Sequence, residues 1–260
     1  MARLFIFGLG YTASRLAERL RAEGWHVDAT GRAGNIAFQD RKAVEDKLTR
    51  ASHILSSVPP DRATGHDPVL AAYGDHIQGP WLGYLSSTGV YGDTDGAWVD
   101  EGAAVGHGRR TARASCDAQW LEHGARVFRL PGIYGPGRSV FDRVKAGTAH
   151  RIDMPHQVFS RVHVDDIGTA VRAALKTQAP AGAYNIADDL PTSQNTVVEE
   201  ACRLLGIEAP PMQSIEEAGL SDMARSFYAE NRRVANGKAK RVLGWRPAYP
   251  TYREGLASLL

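Results

Sequence analysis

The sequence predicts an α/β fold, a doubly wound parallel sheet with a smaller C-terminal lobe interleaved with it. Three observations carry the prediction. Short apolar runs alternate with amphipathic stretches through the first half of the chain, the first run stops at a glycine-rich turn, and beyond about Gly135 the alternation loosens. Strands that alternate with helices need crossover connections, and these lay helices on both faces of a parallel sheet.

Taken in order, Leu4–Phe7 is a short apolar run ended by a glycine, the pattern of a strand buried on both faces. Leu16, Ala17 and Leu20 then share one helical face, Arg15, Glu18, Arg19 and Arg21 occupy the rest, and Glu23-Gly24 ends the helix. A second strand is expected over 25–30. Further strands over 53–56, 81–85 and 126–130 alternate with helical stretches near 44–50, 68–76 and 113–122. Later come a helix over 165–175, a strand over 183–186 and a helix over 193–205. The last stretch, 234–260, mixes helix with proline-containing loops.

At 260 residues, with 43% hydrophobic and 23% charged side chains, the chain can bury the core of one large α/β unit. Thirty-one Lys and Arg against 29 Asp and Glu leave a net charge of +2. That balance lacks the basic excess that nucleic-acid binding demands, and the densest cluster, Arg109, Arg110 and Arg113, reads as a solvated helix face. Cys116 and Cys202 are far apart and in no metal-ligand spacing, which fits a reducing compartment and predicts no disulfide and no metal site. No stretch approaches the ~20 apolar residues of a membrane span, and the N-terminal apolar run is too short for a signal peptide. A cytoplasmic protein without membrane or nucleic-acid partners is expected.

Gly8-Leu9-Gly10-Tyr11-Thr12-Ala13 fits G-x-G-x-x-G/A between a strand and a helix. Gly8 permits the tight turn, Gly10 lets backbone N–H groups approach a pyrophosphate, and Ala13 lets the helix pack close to the strand. The helix N-terminus, at Tyr11 and Thr12, adds its partial positive charge. This is the turn of a Rossmann fold, and it predicts a nicotinamide dinucleotide. Near the end of the second strand stands Thr30-Gly31-Arg32. An acidic residue there would hold the ribose 2′-hydroxyl of NAD, whereas Arg32 suits the 2′-phosphate of NADP; Asp28 precedes the strand end. NADP is therefore expected, with NAD as the alternative. Residues 1–135 form the NADP-binding domain, rejoined by elements near 160–187, and 136–260 form mainly a reduced substrate lobe.

Leu85-Ser86-Ser87-Thr88-Gly89-Val90-Tyr91-Gly92 resembles the Ser-Ser-x-x-Val-Tyr-Gly segment of the extended short-chain dehydrogenase/reductase family, the NAD-dependent epimerases and dehydratases. Arg129-Leu130-Pro131-Gly132-Ile133-Tyr134-Gly135-Pro136-Gly137, His163-Val164-Asp165-Asp166-Ile167, Tyr184-Asn185-Ile186-Ala187 and Leu243-Gly244-Trp245-Arg246-Pro247 resemble further landmarks of that family, in its order. The whole is most similar to an atypical subgroup of short bacterial members. The resemblance implies that Ser87 is the catalytic hydroxyl, bonding the substrate oxygen at the hydride centre. It implies that Ser86 and the Pro131–Ile133 backbone lie near the nicotinamide. Ser57 and Val58, at the end of a fourth strand, would flank the cofactor ribose. His163 is expected to fix a lobe junction, and Asp165 and Asp166 to cap a helix.

One departure bears on the chemistry. The family's acid/base pair is Tyr-x-x-x-Lys on the helix after the serine segment, a spacing that puts both side chains on one helix face. The corresponding stretch here contains neither residue. Counting back from Asp117, the tyrosine position holds Arg109 and the lysine position Arg113. Arg113 can still contact the ribose, but arginine is no proton donor at neutral pH. Phe7 and Ala13 also replace two glycines of the family's usual turn. Two functions remain: an oxidoreductase or epimerase acting on a polar, sugar-like small molecule through a substituted acid/base, with Tyr91, Tyr134 and His163 as candidates, or a non-catalytic NADP sensor or scaffold. Hydrolase, P-loop and zinc-protease motifs are absent. The stretch Met223–Arg233 clusters Arg, Tyr and Asn in the substrate lobe, a kit for a polar or anionic ligand, and a homodimer is common for this fold.

Overall fold

The computed structural model describes residues 2–79, 81–108 and 111–260. The first half contains β1 (Arg3–Phe7), α1 (Tyr11–Ala22), β2 (His26–Ala29), α2 (Arg41–Leu48), β3 (His53–Ser56), α3 (Pro68–Tyr73), β4 (Trp81–Ser87), β5 (Trp98–Val99), α4 (Thr111–Glu122) and β6 (Arg126–Leu130). There follow β7 (Gly132–Tyr134), α5 (Val140–Lys145), β8 (Arg151–Ile152), β9 (Arg161–His163), α6 (Val164–Lys176), β10 (Gly182–Asn185) and α7 (Gln194–Leu205). The chain ends with β11 (Met212–Gln213), α8 (Asp222–Phe227), β12 (Arg233–Val234), α9 (Gly237–Leu243) and α10 (Tyr252–Ala257).

Six strands form one sheet in the order β10-β6-β4-β3-β1-β2, and every neighbouring pair is parallel. His53–Ser56 is thus the third strand along the chain, not the fourth. The order reverses between β1 and β3, because the chain first steps from β1 to β2 and then returns to the other side of β1. Such a switch point opens a crevice at the strands' carboxyl ends. One face of the sheet is covered by Leu16, Ala17 and Leu20 of α1 with Ile167 and Val171 of α6. The other is covered by Val44 and Leu48 of α2, Val69 and Tyr73 of α3 and Trp120 of α4. Each fully buried Leu or Val of this kind contributes roughly 1.5–3 kcal/mol relative to exposure.

The strand β10 returns late in the chain to extend the sheet beside β6, and α6 packs against α1. A third apolar cluster, with Val140, Phe141, Val197, Val198, Tyr252 and Leu256, gathers α5, α7 and α10 apart from the sheet. Asp165 and Asp166 do not cap α6 as the sequence suggested. The cap is His163, whose Nδ1 accepts the Asp165 N–H at 3.3 Å. Asp165 instead pairs with Arg15 of α1 through two bonds of 3.0 and 3.1 Å. Asp166 accepts the backbone N–H groups of Ala248 and Tyr249, tying the C-terminal segment to α6. Among the described residues no helix is long and apolar enough to cross a membrane.

Candidate dinucleotide and substrate site

The glycine-rich turn leaves β1 at Gly8, whose φ of +84° is open to glycine at little cost. A Cβ there would meet Val58 Cγ2 at 2.9 Å. Register explains the proximity: Phe7 pairs with Ser56, so Gly8 and Ser57 leave adjacent strands together, and the Ser57 hydroxyl donates to the Gly8 carbonyl. From the other side, Leu9 N–H donates to Thr30 O at 2.7 Å, and a Cβ on Gly31 would meet Leu9 N at 2.8 Å. Three chain segments therefore cross so closely that neither Gly8 nor Gly31 has room for a side chain of its own. The helix α1 starts with no side-chain cap and no acidic residue in its first turn, and a Cβ on Gly10 would meet open space. Its leading N–H groups lack helical acceptors by geometry, so this cradle fits a pyrophosphate.

A cavity of about 800 Å³ opens in front of that cradle. Gly10, Tyr11, Thr12 and Ser57 line its one end, and Ser86, Ser87, Arg113, Pro131 and Ile133 line its middle. Gly8 and Val58 underlie the turn without lining the cavity. Arg32 is exposed beyond the end of β2, also outside the lining. Asp28 is not available to a ribose. The residue is 6% exposed, and its carboxylate is held by Asn35, His26 and Lys47. Burial works against its charge, but those partners outweigh it and hold the carboxyl below its ordinary value.

Beneath the middle of the cavity lies a buried polar chain. β4 and β6 pair Ser86 with Arg129, and α4 lays Asp117 across both. Ser86 Oγ donates to Asp117 at 2.6 Å, and Arg129 grips the same carboxylate with two N–H donors at 3.1 and 2.7 Å. Arg129 also donates to the Tyr91 hydroxyl at 3.0 Å, which donates to Asn185 at 2.7 Å. Ser86 thus reaches the cavity wall with its hydroxyl already spent. Ser87, next along the strand, accepts the Gly89 N–H at 3.1 Å, so its own proton remains to be given to a ligand oxygen. Arg113 donates to the Tyr84 hydroxyl at 2.9 Å.

The candidate proton carriers do not reach this cavity. Tyr91 is consumed by Arg129 and Asn185, and burial pushes its phenol above the ordinary value. The Tyr134 hydroxyl is buried against Gly255, and burial raises its pKa as well. His163 is 1% exposed and lies between the rings of Tyr134 and Tyr249, at 5.3 and 4.1 Å. Burial lowers its pKa, the nearby Asp165 carboxylate pulling the other way. The tyrosine position, Arg109, and its neighbour Arg110 lie outside the described residues. The stretch Met223–Arg233 does reach the cavity, contributing Ala224, Phe227, Tyr228, Glu230 and Arg232. Glu230 accepts from Arg232 at 2.9 Å. Sequence reasoning missed Arg138, Arg143, His150 and Arg161, which also face the cavity. They come from short loops and elements with no periodic pattern to mark them.

The sheet order, with the glycine-rich turn at its switch point, sets the fold class, which the chain shares with solved structures of epimerase family proteins. Within that class it belongs to the family of a conserved protein of unknown function from Silicibacter pomeroyi. That structure is 40% identical, covers 100% of this chain and 98% of its own, and superposes with a TM-score of 0.88. Protein YeeZ of Escherichia coli is 28% identical over 96% of this chain and 97% of its own length. The human epimerase family protein SDR39U1, solved with NADPH, is 14% identical and shares the fold, with a TM-score of 0.80 over 99% of this chain and 98% of its own. No family profile matches the chain.

Proposed function

We propose that the chain is an NADP-dependent oxidoreductase or epimerase of the short-chain dehydrogenase type, acting on a polar small molecule. The observation that carries this is the single cavity that joins the uncapped start of α1 to Ser87. The dinucleotide, when bound, supplies a hydride donor or acceptor. The chain's own residues do the rest. Gly8, Gly10, Tyr11 and Thr12 receive the pyrophosphate, Ser57 and Val58 flank a ribose, and Arg32 meets the 2′-phosphate. Arg113 stands in for the lysine beside the second ribose, and Pro131 and Ile133 bound the nicotinamide with Ser86. Ser87 orients the substrate oxygen by donating its free hydroxyl proton. The group that carries the proton is not the family's tyrosine, which this chain lacks.

A second reading has one specific observation behind it. The lysine position holds Arg113, already bonded to Tyr84, so the chain can equally be an NADP-binding sensor without turnover. Titration of the purified protein with NADPH and NADH, by calorimetry, tests the shared part. Tight NADPH binding that Arg32→Ala weakens at least tenfold, with NADH unaffected, supports the assignment. Failure to bind either nucleotide overturns both readings. Oxidation of bound NADPH by carbonyl compounds then separates enzyme from sensor.

A further inference from the structure

A second cavity, of about 460 Å³, branches from the first behind the strand β7. The two share Gly132, Ile133, Arg138, Arg143, Arg161 and Gln194, so these residues form their junction. The floor of the branch is apolar, built from Val140, Val197, Tyr252 and Leu256 of the third apolar cluster. Its mouth is cationic. Arg138 and Arg143 are exposed there, while Arg161 is buried, its two terminal nitrogens donating to the carbonyls of Phe159, Thr192 and Ser193 and to Gln194. Asp142 is the one carboxylate in the wall among the described residues, and it is turned to the Ser139 N–H as a capping box. Among the described residues, five arginines and His150 face a single carboxylate in the larger cavity, Glu230, which Arg232 already engages.

An apolar chamber of this volume matches a small-molecule site, and two exposed guanidinium groups at its mouth select for a negative charge. The junction residues Gly132 and Ile133 belong to the segment assigned above to the nicotinamide. We infer that the side chamber receives the apolar body of an organic anion whose carboxylate or similar group is held at the junction by Arg138 and Arg143, and that such an anion is the substrate. This rests on the cofactor reading for the chemistry, but the chamber itself stands on its own geometry. It also replaces a sugar-like ligand with one that carries hydrocarbon or aromatic bulk.

The probe is 8-anilinonaphthalene-1-sulfonate, an aromatic anion, titrated by fluorescence into the full chain first without and then with saturating NADPH. Its uncharged analogue N-phenyl-1-naphthylamine is titrated in parallel. One saturable site is expected. Arg143→Ala and Arg138→Ala, both at exposed positions, should each weaken the sulfonate about tenfold and leave the uncharged analogue unchanged, and Arg143→Ala should leave NADPH unchanged as well. Val197→Trp, checked by its melting curve, should fill the chamber and weaken both probes. Sulfonate binding that is indifferent to both arginine variants overturns the inference, as does competitive displacement by NADPH. If the sulfonate follows the arginines but NADPH does not bind, the cofactor reading falls, and with it the claim that the anion is a substrate, while the anion site stands.

Discussion

Ser86 and Ser87 are neighbours in sequence and do different work because a strand turns successive side chains to opposite sides. Ser86 is bonded to Asp117, whereas Ser87 keeps a proton to donate. Ser87→Ala should therefore lower kcat on any accepted carbonyl by roughly 10²-fold, the usual cost of one oriented donor, while calorimetry finds NADPH affinity unchanged. Asp117→Ala acts differently. It strands Arg129, 3% exposed, without its carboxylate, and removal of one partner from a buried pair costs about 3–5 kcal/mol. Chemical denaturation should report that loss, with Asp117→Asn recovering only part of it.

At the scale of elements, the cofactor cradle depends on how closely the ends of β1, β2 and β3 approach. Gly31 adopts a φ of +105°, and its neighbour in space is the backbone of Leu9. Gly31→Ala should both strain that conformation and press the β2 loop away from the turn. A stability loss of about 1–3 kcal/mol is expected, with NADPH binding weakened in the same variant. Much of this region was legible in the sequence. Strands 53–56 and 126–130 begin and end where apolar patterning placed them, because they are buried on both faces. The strand β4 was read too short, ending at Leu85 rather than Ser87, since two serines carry no hydrophobic signal even when paired to β6. β7 and β9 were missed altogether. Three residues each, they are held by their partner rather than by any pattern of their own.

The whole molecule adds what no single segment encodes. Arg138, Arg143 and Glu230 converge from separate loops and elements, and nothing in their spacing announces it. Asp188 is the same kind of case: burial pushes its carboxyl up to about 7, with Arg161 pulling the other way. The unfolded chain releases that proton near pH 4, so the folded state holds a proton the unfolded state has lost between about pH 4 and 7. Stability from this group is thus greatest on the acid side and declines as pH rises through that window. Melting curves at pH 5 and pH 8 should show wild type losing more Tm than Asp188→Asn over the same interval.

Tyr11 stands in the first turn of α1, and its hydroxyl donates to Pro136 O at 3.1 Å while the Arg138 guanidinium lies over its ring at 5.9 Å. The residue at the pyrophosphate cradle thus touches the residue at the mouth of the side chamber. Thermodynamic linkage then imposes a symmetry on two ligands that never meet: whatever factor NADPH applies to the anion's affinity, the anion must apply to NADPH's. An anion that draws Arg138 off the Tyr11 ring would make that factor differ from one, so the protein would report the state of its cofactor through its grip on the substrate.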